Sequence, residues 1–394
     1  MIKYFPENWK LLELKDIFEI KKGKKVNITN NKNIELMPYV GIGNLRGVPI
    51  SQYSSDKNGL VCEKNDILLV WDGANFGTVG TGLSGFVGST IVRLRLVDSS
   101  VNTDYAYRFL KSKFKYFNST TTGATIPHLD KKKVHGLKIP IPPLPVQKKI
   151  AGILEKAEKL KTWRAEADKL TDEFLKSTFL EMFGDPVTNP MGWEIKKLEA
   201  ICSEIYRYPT FYGFEYTKIG VPVVRINNIF SNGSLDPDVS NYVFIEPKLN
   251  ENFPRTILEF NDIVMAVRGD GSTAKRIGLV DTINLLGANI SPNLIRFKAN
   301  TVIMNPFYLF ILMTSDSGQK LLEKYVTRTA KKTITAKDIK TIPIPLPPLP
   351  LQQKFAAIVR QVEQMRQYQQ ESKAHIDDLF NALMQKAFKG ELVA

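Results

Sequence analysis

The sequence contains two copies of one unit of about 200 residues. A segment that alternates proline with apolar residues at positions 138–147 recurs at 341–352. Between Asp66 and Asp262 the copies are offset by 196 residues, and at the Ile-Pro-Ile-Pro tract by 203. Nearer the start of each half, four residue pairs keep an offset of 184: Trp9 and Trp193, Leu11 and Ile195, Leu14 and Leu198, and Ile17 and Ile201. The second copy therefore carries insertions of 12 and then 7 residues, and the chain must fold as two related domains whose loops differ.

A two-copy repeat of this length excludes a solenoid, whose period is about 20 to 50 residues. Two copies of a unit in one chain pair most simply about a pseudo-two-fold axis, as the subunits of an isologous dimer do. Such a molecule presents two similar but non-identical surfaces. It is suited to a target that has two different halves.

Positive charge is concentrated in the two globular halves. The 394 residues include 54 Lys and Arg against 40 Asp and Glu, a net charge of +14. Residues 1–145 contain 21 basic and 12 acidic side chains and residues 191–350 contain 19 and 15, whereas the remaining stretches are nearly neutral. This distribution is typical of nucleic-acid-binding domains joined by a neutral scaffold. A basic surface that serves only solubility is the alternative.

The two cysteines, Cys62 and Cys202, are too few for a disulfide framework and have no zinc-site spacing. No stretch has the 18 or so apolar residues that a membrane span requires. We therefore expect a cytoplasmic protein with no membrane association and no metal site.

Two stretches of about 37 residues have the period of long helices, each about 55 Å in length. The apolar stripe on each helix is narrow enough to predict that the two helices form an antiparallel coiled coil within the chain. In this coiled coil Gln369 and Ser372 would fix the register. Amphipathic helices that lie on their own domains are the alternative. The predicted seam of the first helix is Ile153, Leu160, Ala167 and Phe174 with Trp163 and Leu170. That of the second is Phe355, Val362, Gln369, Ile376 and Leu383, with the companion series Ile358, Met365, Ser372 and Leu379.

The globular halves are predicted to be mixed α/β domains. Apolar, β-rich runs predict strands at 67–71, 90–96 and 262–267, and helices are expected at 104–112 and 306–314. The proline tracts lack alternate amide hydrogens and should run extended into the helices. The predicted boundaries are a first domain at 1–145, a helix at 146–184, a linker at 185–192, a second domain at 193–350 and a helix at 351–394.

The order of these elements resembles the specificity subunit of Type I restriction-modification systems. The resemblance covers essentially the whole chain and includes Glu-Met-Phe-Gly-Asp-Pro at 181–186 and Ala-Phe-Lys-Gly-Glu-Leu at 387–392. It implies two target recognition domains that each read one part of a split double-stranded DNA sequence, and helices that set the spacing between the parts. It also implies docking of two methyltransferase (modification) subunits, and of restriction/translocase subunits in the full complex. S-adenosylmethionine, ATP and Mg²⁺ would then be bound by the partner subunits, and this chain would perform no catalysis.

Several apparent catalytic motifs have simpler interpretations. Asn305-Pro306-Phe307-Tyr308 is similar to an adenine methyltransferase motif but lacks its second proline, so it is better interpreted as a helix start. Residues 80–85 satisfy a dinucleotide-binding glycine pattern without a following helix. Asp185 with Glu194 and Lys196 could suggest a nuclease, but the first half has no matching residues. The three histidines, His128, His135 and His375, have no evident partner in the sequence.

Lys and Arg are suited to phosphate contacts, and Arg, Asn, Gln and aromatic residues to base contacts. The runs 21–25 and 131–133 are the best candidate phosphate clamps, although either could be a solvated charge run. Candidates in the first half are Lys21, Lys22, Lys24, Lys25, Asn44, Arg46, Asn75, Lys131, Lys132 and Lys133. Those in the second half are Tyr206, Arg207, Tyr208, Tyr212, Arg225, Asn227, Asn228, Arg268, Lys275, Arg276, Arg328, Lys331 and Lys332.

The first half carries Asp72 where the second carries Arg268, so we expect the halves to read different bases in an asymmetric bipartite site. Two other functions stay open at this point. One is a methyltransferase or nuclease that acts alone. The other is an adaptor whose proline-rich segments bind SH3-like domains.

Overall fold

The computed structural model describes residues 6–32, 35–73, 75–119, 121–122, 128–207, 215–269, 276–327 and 332–393. The chain divides into two compact units. Unit 1 contains Met1–Ala165 and Gln370–Ala394, and unit 2 contains Glu166–Gln369. Each unit therefore includes one globular domain together with part of both long helices.

The elements up to the first long helix are β1 (Lys10–Glu13), α1 (Leu14–Ile17), β2 (Phe18–Lys22), β3 (Met37–Val40), α2 (Ile42–Leu45), β4 (Tyr53–Ser54), β5 (Val61–Cys62), β6 (Ile67–Val70), β7 (Val79–Gly80), β8 (Gly85–Val87), β9 (Ile91–Leu96), α3 (Thr103–Ser112), α4 (Phe114–Asn118), β10 (Thr121–Thr122), β11 (His128–Leu129), α5 (Lys131–His135), β12 (Lys138–Ile141) and α6 (Leu144–Phe183). Those that follow are β13 (Glu194–Lys197), α7 (Leu198–Ile201), β14 (Cys202–Arg207), β15 (Val221–Val224), β16 (Val243–Ile245), α8 (Pro247–Glu251), β17 (Ile263–Ala266), β18 (Arg268–Gly269), β19 (Ile277–Leu279), β20 (Asn289–Ile290), β21 (Leu294–Ala299), α9 (Pro306–Thr314), α10 (Asp316–Glu323), β22 (Lys332–Thr333), α11 (Ala336–Lys340), β23 (Pro343–Leu346) and α12 (Leu349–Ala387). Among the described residues, short 3₁₀ helices lie at 226–228, 239–241, 254–256 and 283–285.

Both units are built on the same four-stranded antiparallel sheet. Its strand order is β2-β9-β6-β7 in unit 1 and β14-β21-β17-β19 in unit 2. A second sheet, β4-β3-β8-β5 or β16-β15-β20, contains one parallel pair in each unit. The predicted strands and helices within the domains are confirmed to within one or two residues at each end.

The central strand of each unit is buried on both faces. In β6, Ile67 and Leu69 belong to the core that contains α3, whereas Leu68 and Val70 belong to a separate cluster with β3 and β8. The alternate residues of β17 divide between two clusters in the same way. Successive side chains of a strand point to opposite faces, so a strand between two apolar layers must be apolar throughout.

The proline tracts run extended as predicted, each as one strand of a two-stranded sheet. β12 pairs antiparallel with β1, and Pro140 lies opposite Leu11. β23 pairs with β13, and Pro345 lies opposite Ile195. The predicted offset of 203 is therefore wrong for this tract, because Pro140 matches Pro345 at an offset of 205. The tract repeats every second residue, so a shift of two leaves its sequence pattern unchanged.

Buried hydrogen bonds join each proline tract to its domain. Tyr105 in α3 donates through its hydroxyl to the Pro140 carbonyl at 2.7 Å, and Tyr308 in α9 donates to the Pro345 carbonyl at 3.0 Å. Asn305 caps α9 by accepting from the amides of Phe307 and Tyr308, so its interpretation as a helix start is confirmed.

The long helices begin earlier than predicted, at Leu144 and Leu349, and end at Phe183 and Ala387. Pro145 lies in the first turn of α6, where a missing amide hydrogen costs nothing. Within each unit the helices are antiparallel. Lys161 Nζ lies 2.7 Å from Asp377 in unit 1, and Arg366 Nη2 lies 2.6 Å from Asp172 in unit 2.

The predicted seam of α6 is wrong at four of its six positions, whereas Ile153 and Ala167 are half-buried. Leu160, Trp163, Leu170 and Phe174 are exposed by 39%, 65%, 54% and 52%. The buried residues of α6 are instead Gln147, Ile150, Ala151, Leu154 and Ala157 in unit 1 and Thr171, Leu175, Phe179 and Phe183 in unit 2. The predicted series follows a seven-residue period, whereas the buried residues of unit 2 are four residues apart, and packing against the domains selects the buried face.

The seam of α12 is partly as predicted. Phe355, Val362 and Gln369 are buried, but Met365 and Leu379 of the companion series are exposed and Ser372 is only half-buried. Val359, four residues after Phe355, is buried although it belongs to neither predicted series. The buried Gln369 has the polar seam position that was expected to fix the register.

Candidate nucleic-acid interface

Three separate segments of unit 1 meet where β6 ends. The amide of Trp71 donates to the Thr90 carbonyl at 2.8 Å, and the amide of Leu129 donates to the Trp71 carbonyl at 3.1 Å. Asp72 pairs with His128 as an isolated antiparallel bridge. Lys22, the last residue of β2, places its Nζ 2.6 Å from the Asp72 carboxylate. The first lysine run and the segment before α5 therefore lie at one edge of the sheet.

This edge contains a cavity of about 610 Å³. Its lining residues are Ile20, Lys22, Trp71, Val92, His128, Leu129, Asp130, Lys131, Lys132 and His135. One lysine from the first predicted clamp and two from the second line the same cavity, although about 110 residues separate them in the chain.

Sequence reasoning missed the aromatic part of this cavity. Trp71, His128 and His135 come from two distant segments, and only strand pairing brings them together. Burial, with the nearby charges of Lys131 and Lys15, lowers the pKa of His135. That imidazole is therefore neutral at neutral pH, while the lysines supply the positive charge of the cavity.

The other lysines of the two runs lie outside this cavity lining. Lys21 forms an ion pair of 2.5 Å with Glu19, and Lys24 and Lys25 are exposed. Lys133 is exposed in α5, and its amide donates to the Asp130 side chain at 3.2 Å.

A second pair of candidates meets on a neighbouring loop. Arg46 Nη1 donates to the Asn75 side-chain oxygen at 3.4 Å, so an exposed guanidinium and a half-buried amide from distant segments lie together. The side chain of Asn44 accepts from the Gly41 amide at 2.8 Å and donates to the Val48 carbonyl at 2.9 Å. Arg46 and Asn75 are therefore available to a ligand, whereas Asn44 shapes its own turn.

Asn228 has the corresponding role in unit 2. It is buried, accepts from the Arg225 amide at 2.9 Å and donates to the Asn241 carbonyl at 3.3 Å. Asn227 beside it is exposed and Arg225 is half-buried. Among these three candidates, Asn227 presents its side chain most openly.

The predicted pairing of aromatic and cationic residues in β14 has a different cation. The Arg255 guanidinium lies over the Tyr206 ring at 4.1 Å from its centre, while Arg207 donates through Nε to the Pro292 carbonyl at 3.3 Å. Arg276 donates to the Ile229 carbonyl at 3.2 Å. Sequence reasoning did not single out Arg255, because 49 residues separate it from Tyr206.

Arg268 is exposed and lies in β18, where it pairs with Thr333 of β22, and Lys332 follows opposite Gly269. Two predicted basic segments of unit 2 thus meet at the end of β17. Tyr208, Tyr212, Lys275, Arg328 and Lys331 lie outside the described residues.

The same arrangement, a basic edge at the end of a buried central strand, occurs in both halves of a duplicated chain. A family model described as Type I restriction modification DNA specificity domain matches residues 6–170 and again residues 190–377. The chain belongs to this family. As a Type I specificity subunit it recognises DNA within a restriction-modification complex and is not an enzyme.

Full-length relatives agree with this family. The chain is 27% identical over 402 residues to the Type I restriction enzyme MjaVIII specificity subunit of Methanocaldococcus jannaschii, covering 98% of this chain and 93% of the relative. It is 24% identical to the Type I restriction enzyme EcoBI specificity subunit of Escherichia coli, covering 98% of this chain and 87% of the relative.

Solved structures share the fold of the specificity subunit. A chain from work on complex assembly and conformational transition of the type I R-M system matches with a TM-score of 0.64 and 17% identity, covering 99% of this chain and 100% of that one. The S subunit of the Type-I restriction-modification system from M. genitalium matches with a TM-score of 0.57 and 17% identity, covering 97% and 96%.

The residues of the apparent catalytic motifs have structural roles in this specificity subunit. Asp185 accepts from the Val187 amide at 2.8 Å and from the Ser317 hydroxyl at 2.9 Å, which fixes the turn after α6. The glycine pattern at 80–85 runs from the end of β7 into β8, so a strand follows it. Among the described residues, no three His, Cys, Asp or Glu side chains are grouped so as to hold a metal ion. No helix in the described ranges is long and apolar enough to cross a membrane.

Proposed function

We propose that each unit of this specificity subunit reads one half of an asymmetric, bipartite site on double-stranded DNA. One observation carries the proposal: two domains whose four-stranded sheets share one strand order present different side chains, Asp72 and Arg268, at the matching end of the central strand. A repeated frame gives each domain a similar approach to the DNA backbone. Different side chains on that frame give each domain its own bases, because phosphate contacts position a protein and base contacts specify the sequence.

The basic edges favour duplex DNA over an acidic protein partner. Lys22, Lys131 and Lys132 meet at one edge of unit 1, and Arg268 occupies the matching edge of unit 2. Phosphates neutralised by such groups release counterions, so the affinity should fall steeply as salt rises. Measuring DNA affinity of the full chain across a salt series tests this. A flat dependence would contradict DNA recognition.

We propose that the two long helices set the gap between the half-sites. A matched insertion of seven residues, after Asp168 in α6 and after Gln370 in α12, preserves the heptad phase and adds about 10 Å to each helix. The gap should lengthen by at most about three base pairs, given a rise of about 3.4 Å per base pair. Both half-sites should keep their sequences. An unchanged gap in the mapped methylation motif would contradict this role.

The partners that we propose are two methyltransferase (modification) subunits, with restriction/translocase subunits in the full complex. The exposed apolar residues of α6 support a protein partner. A helix face in contact with water is normally polar, and exposed apolar patches mark interaction sites. They are Leu160 and Trp163 in unit 1 and Leu170 and Phe174 in unit 2. S-adenosylmethionine, ATP and Mg²⁺ are proposed to bind to the partner subunits, and the complex is proposed to work in the cytoplasm.

An SH3-type adaptor is a weaker candidate. Recognition by such domains requires exposed prolines in a polyproline helix. In this chain Pro140, Pro142, Pro345 and Pro347 are buried, and the exposed Pro143, Pro145, Pro348 and Pro350 lie at the starts of α6 and α12. Pro140 and Pro345 also belong to paired strands.

A further inference from the structure

The two units repeat one backbone frame at the end of the central strand. In unit 1 the Trp71 amide donates to the Thr90 carbonyl at 2.8 Å, and the Leu129 amide donates to the Trp71 carbonyl at 3.1 Å. In unit 2 the Val267 amide donates to the Asn293 carbonyl at 2.9 Å, and the Ile334 amide donates to the Val267 carbonyl at 2.9 Å. The frame matches bond for bond, so the next residue along, Asp72 or Arg268, occupies one equivalent position.

The cross-strand partners agree with this equivalence. Asp72 bridges to His128, and Arg268 pairs with Thr333, each immediately before the residue whose amide closes the frame. The strand on the far side of β9 or β21, two strands from the central one, ends at Lys22 in unit 1 and at Arg207 in unit 2. The sheet registers match them, since Lys22 lies opposite Val92 and Arg207 opposite Ile295.

Side-chain chemistry is reversed within this common frame. Asp72 offers only acceptor oxygens when ionised, and its carboxylate is 24% exposed beside Lys22. Arg268 offers only donors and is exposed. Unit 1 therefore presents an acid next to a base, where unit 2 presents two guanidinium groups.

The carboxylate is unfavourable on a surface that binds phosphates. It faces Lys22 across 2.6 Å, with His128 as its bridge partner and Lys131 and Lys132 lining the same edge. A half-exposed ion pair contributes little to stability, so holding Lys22 does not by itself account for the acid. A role in base reading does, because the carboxylate can exchange Lys22 for a base donor while Lys22 turns to a phosphate.

We propose that Asp72 and Arg268 are the base-reading residues at one equivalent position of the two units, an inference that rests on the proposed function. Asp72 accepts a hydrogen bond from an exocyclic amino group in the major groove, on cytosine or adenine. Arg268 donates two hydrogen bonds to O6 and N7 of a guanine. The two half-sites then differ at this position because the donor and acceptor pattern is reversed.

The test uses the full chain copurified with its methyltransferase subunit. A DNA pool randomised at every position of both half-sites is methylated and sequenced. The wild-type complex should require either cytosine or adenine at one position on one strand of the first half-site. The sequenced motif shows which of the two bases Asp72 reads. Asp72→Asn retains an acceptor and adds a donor, so discrimination at that position alone should fall by about 10-fold or more. Arg268→Gln should relax one guanine of the second half-site and leave the first unchanged.

Lys22→Gln is the matched control, because it removes the ion pair and keeps the Asp72 carboxylate. It should lower methylation of all sequences in parallel, without changing the motif. If a folded Asp72→Asn complex lowers methylation equally at all sequences, or leaves the motif unchanged, the assignment of Asp72 is wrong. The same outcome for Arg268→Gln overturns the assignment of Arg268. Failure of the proposed function is separate: the wild-type complex would then select no bipartite motif.

Discussion

Gln369 in α12 donates a hydrogen bond of 2.9 Å from Nε2 to the hydroxyl oxygen of Thr171 in α6, and both residues are buried in unit 2. A polar pair inside an apolar helix seam favours one register, because sliding one helix along the other breaks the hydrogen bond between the two side chains. The pair therefore limits how the two helices can slide.

Gln369→Leu should destabilise unit 2 by about 1 to 3 kcal/mol, because it removes a buried hydrogen-bond partner of the Thr171 hydroxyl. Adding Thr171→Val should recover most of this loss, since both polar groups are then gone. Thermal unfolding of the single and double variants measures the coupling. Additive losses would show that the pair does not act as a unit.

Gln147 at the start of α6 is fully buried and makes three hydrogen bonds. It accepts from the Asn102 amide at 2.7 Å and donates to the carbonyls of Ser100 and Pro142 at 2.9 and 2.7 Å. Gln147→Glu keeps the shape and the acceptor but removes both donors, so we expect a loss of at least about 2 kcal/mol. Urea unfolding at neutral pH measures it. A loss no larger than that of an exposed control, Gln361→Glu in α12, would contradict this account.

The acid stability of unit 1 should depend partly on His135. Burial first, and then the charges of Lys131 and Lys15, lower the pKa of its imidazole. The unfolded chain therefore binds a proton more readily than the folded chain, so His135 contributes stability above the ordinary histidine pKa of about 6.5. That contribution is lost as the pH falls through this range. His135→Gln should reduce the drop in unfolding temperature between pH 7.5 and pH 5.5, and an unchanged drop would count against it.

The exposed apolar residues of α6 should matter for assembly and not for folding. Trp163→Ser with Phe174→Ser should change stability little, because the two side chains are 65% and 52% exposed. The same variant should bind a methyltransferase subunit at least about 10-fold more weakly, as measured by calorimetry. Leu154→Ala, in the buried core, is the opposite control and should cost about 2 to 5 kcal/mol of stability. If the double serine variant binds the methyltransferase subunit as tightly as the wild type, Trp163 and Phe174 have no role in docking.

The duplication, the strands and the helix start at Asn305 were predictable because each depends on local chemistry or on a repeated order of residues. The buried face of α6 was not, because Leu154 and Leu160 both fit a seven-residue pattern and only packing against a domain separates them. The predicted offset of 203 matched Pro140 with Pro343 instead of Pro345, because an alternating tract matches itself at every even shift.

The residue types of the candidate site could be predicted from the sequence, but their arrangement in space could not. The lysine runs could be identified from composition, and Lys22, Lys131 and Lys132 do line one cavity. His128 and Trp71 gave no signal, because strand pairing across 57 residues brings them together. Asn44 and Asn228 were predicted as base readers from residue type alone, and the sequence did not show that their side chains also stabilise turns.

Exchanging one domain and mapping the methylated sites tests the central claim most directly. Residues 1–143 are replaced by the matching domain of another specificity subunit, chosen to keep the aromatic residues at 105 and 109 that contact Phe388. The chimera is expressed with its methyltransferase subunit, and methylated genomic sites are sequenced. We predict that one half-site changes while the other half-site and the gap stay the same. A change in both half-sites, or in neither, would contradict independent reading by the two units.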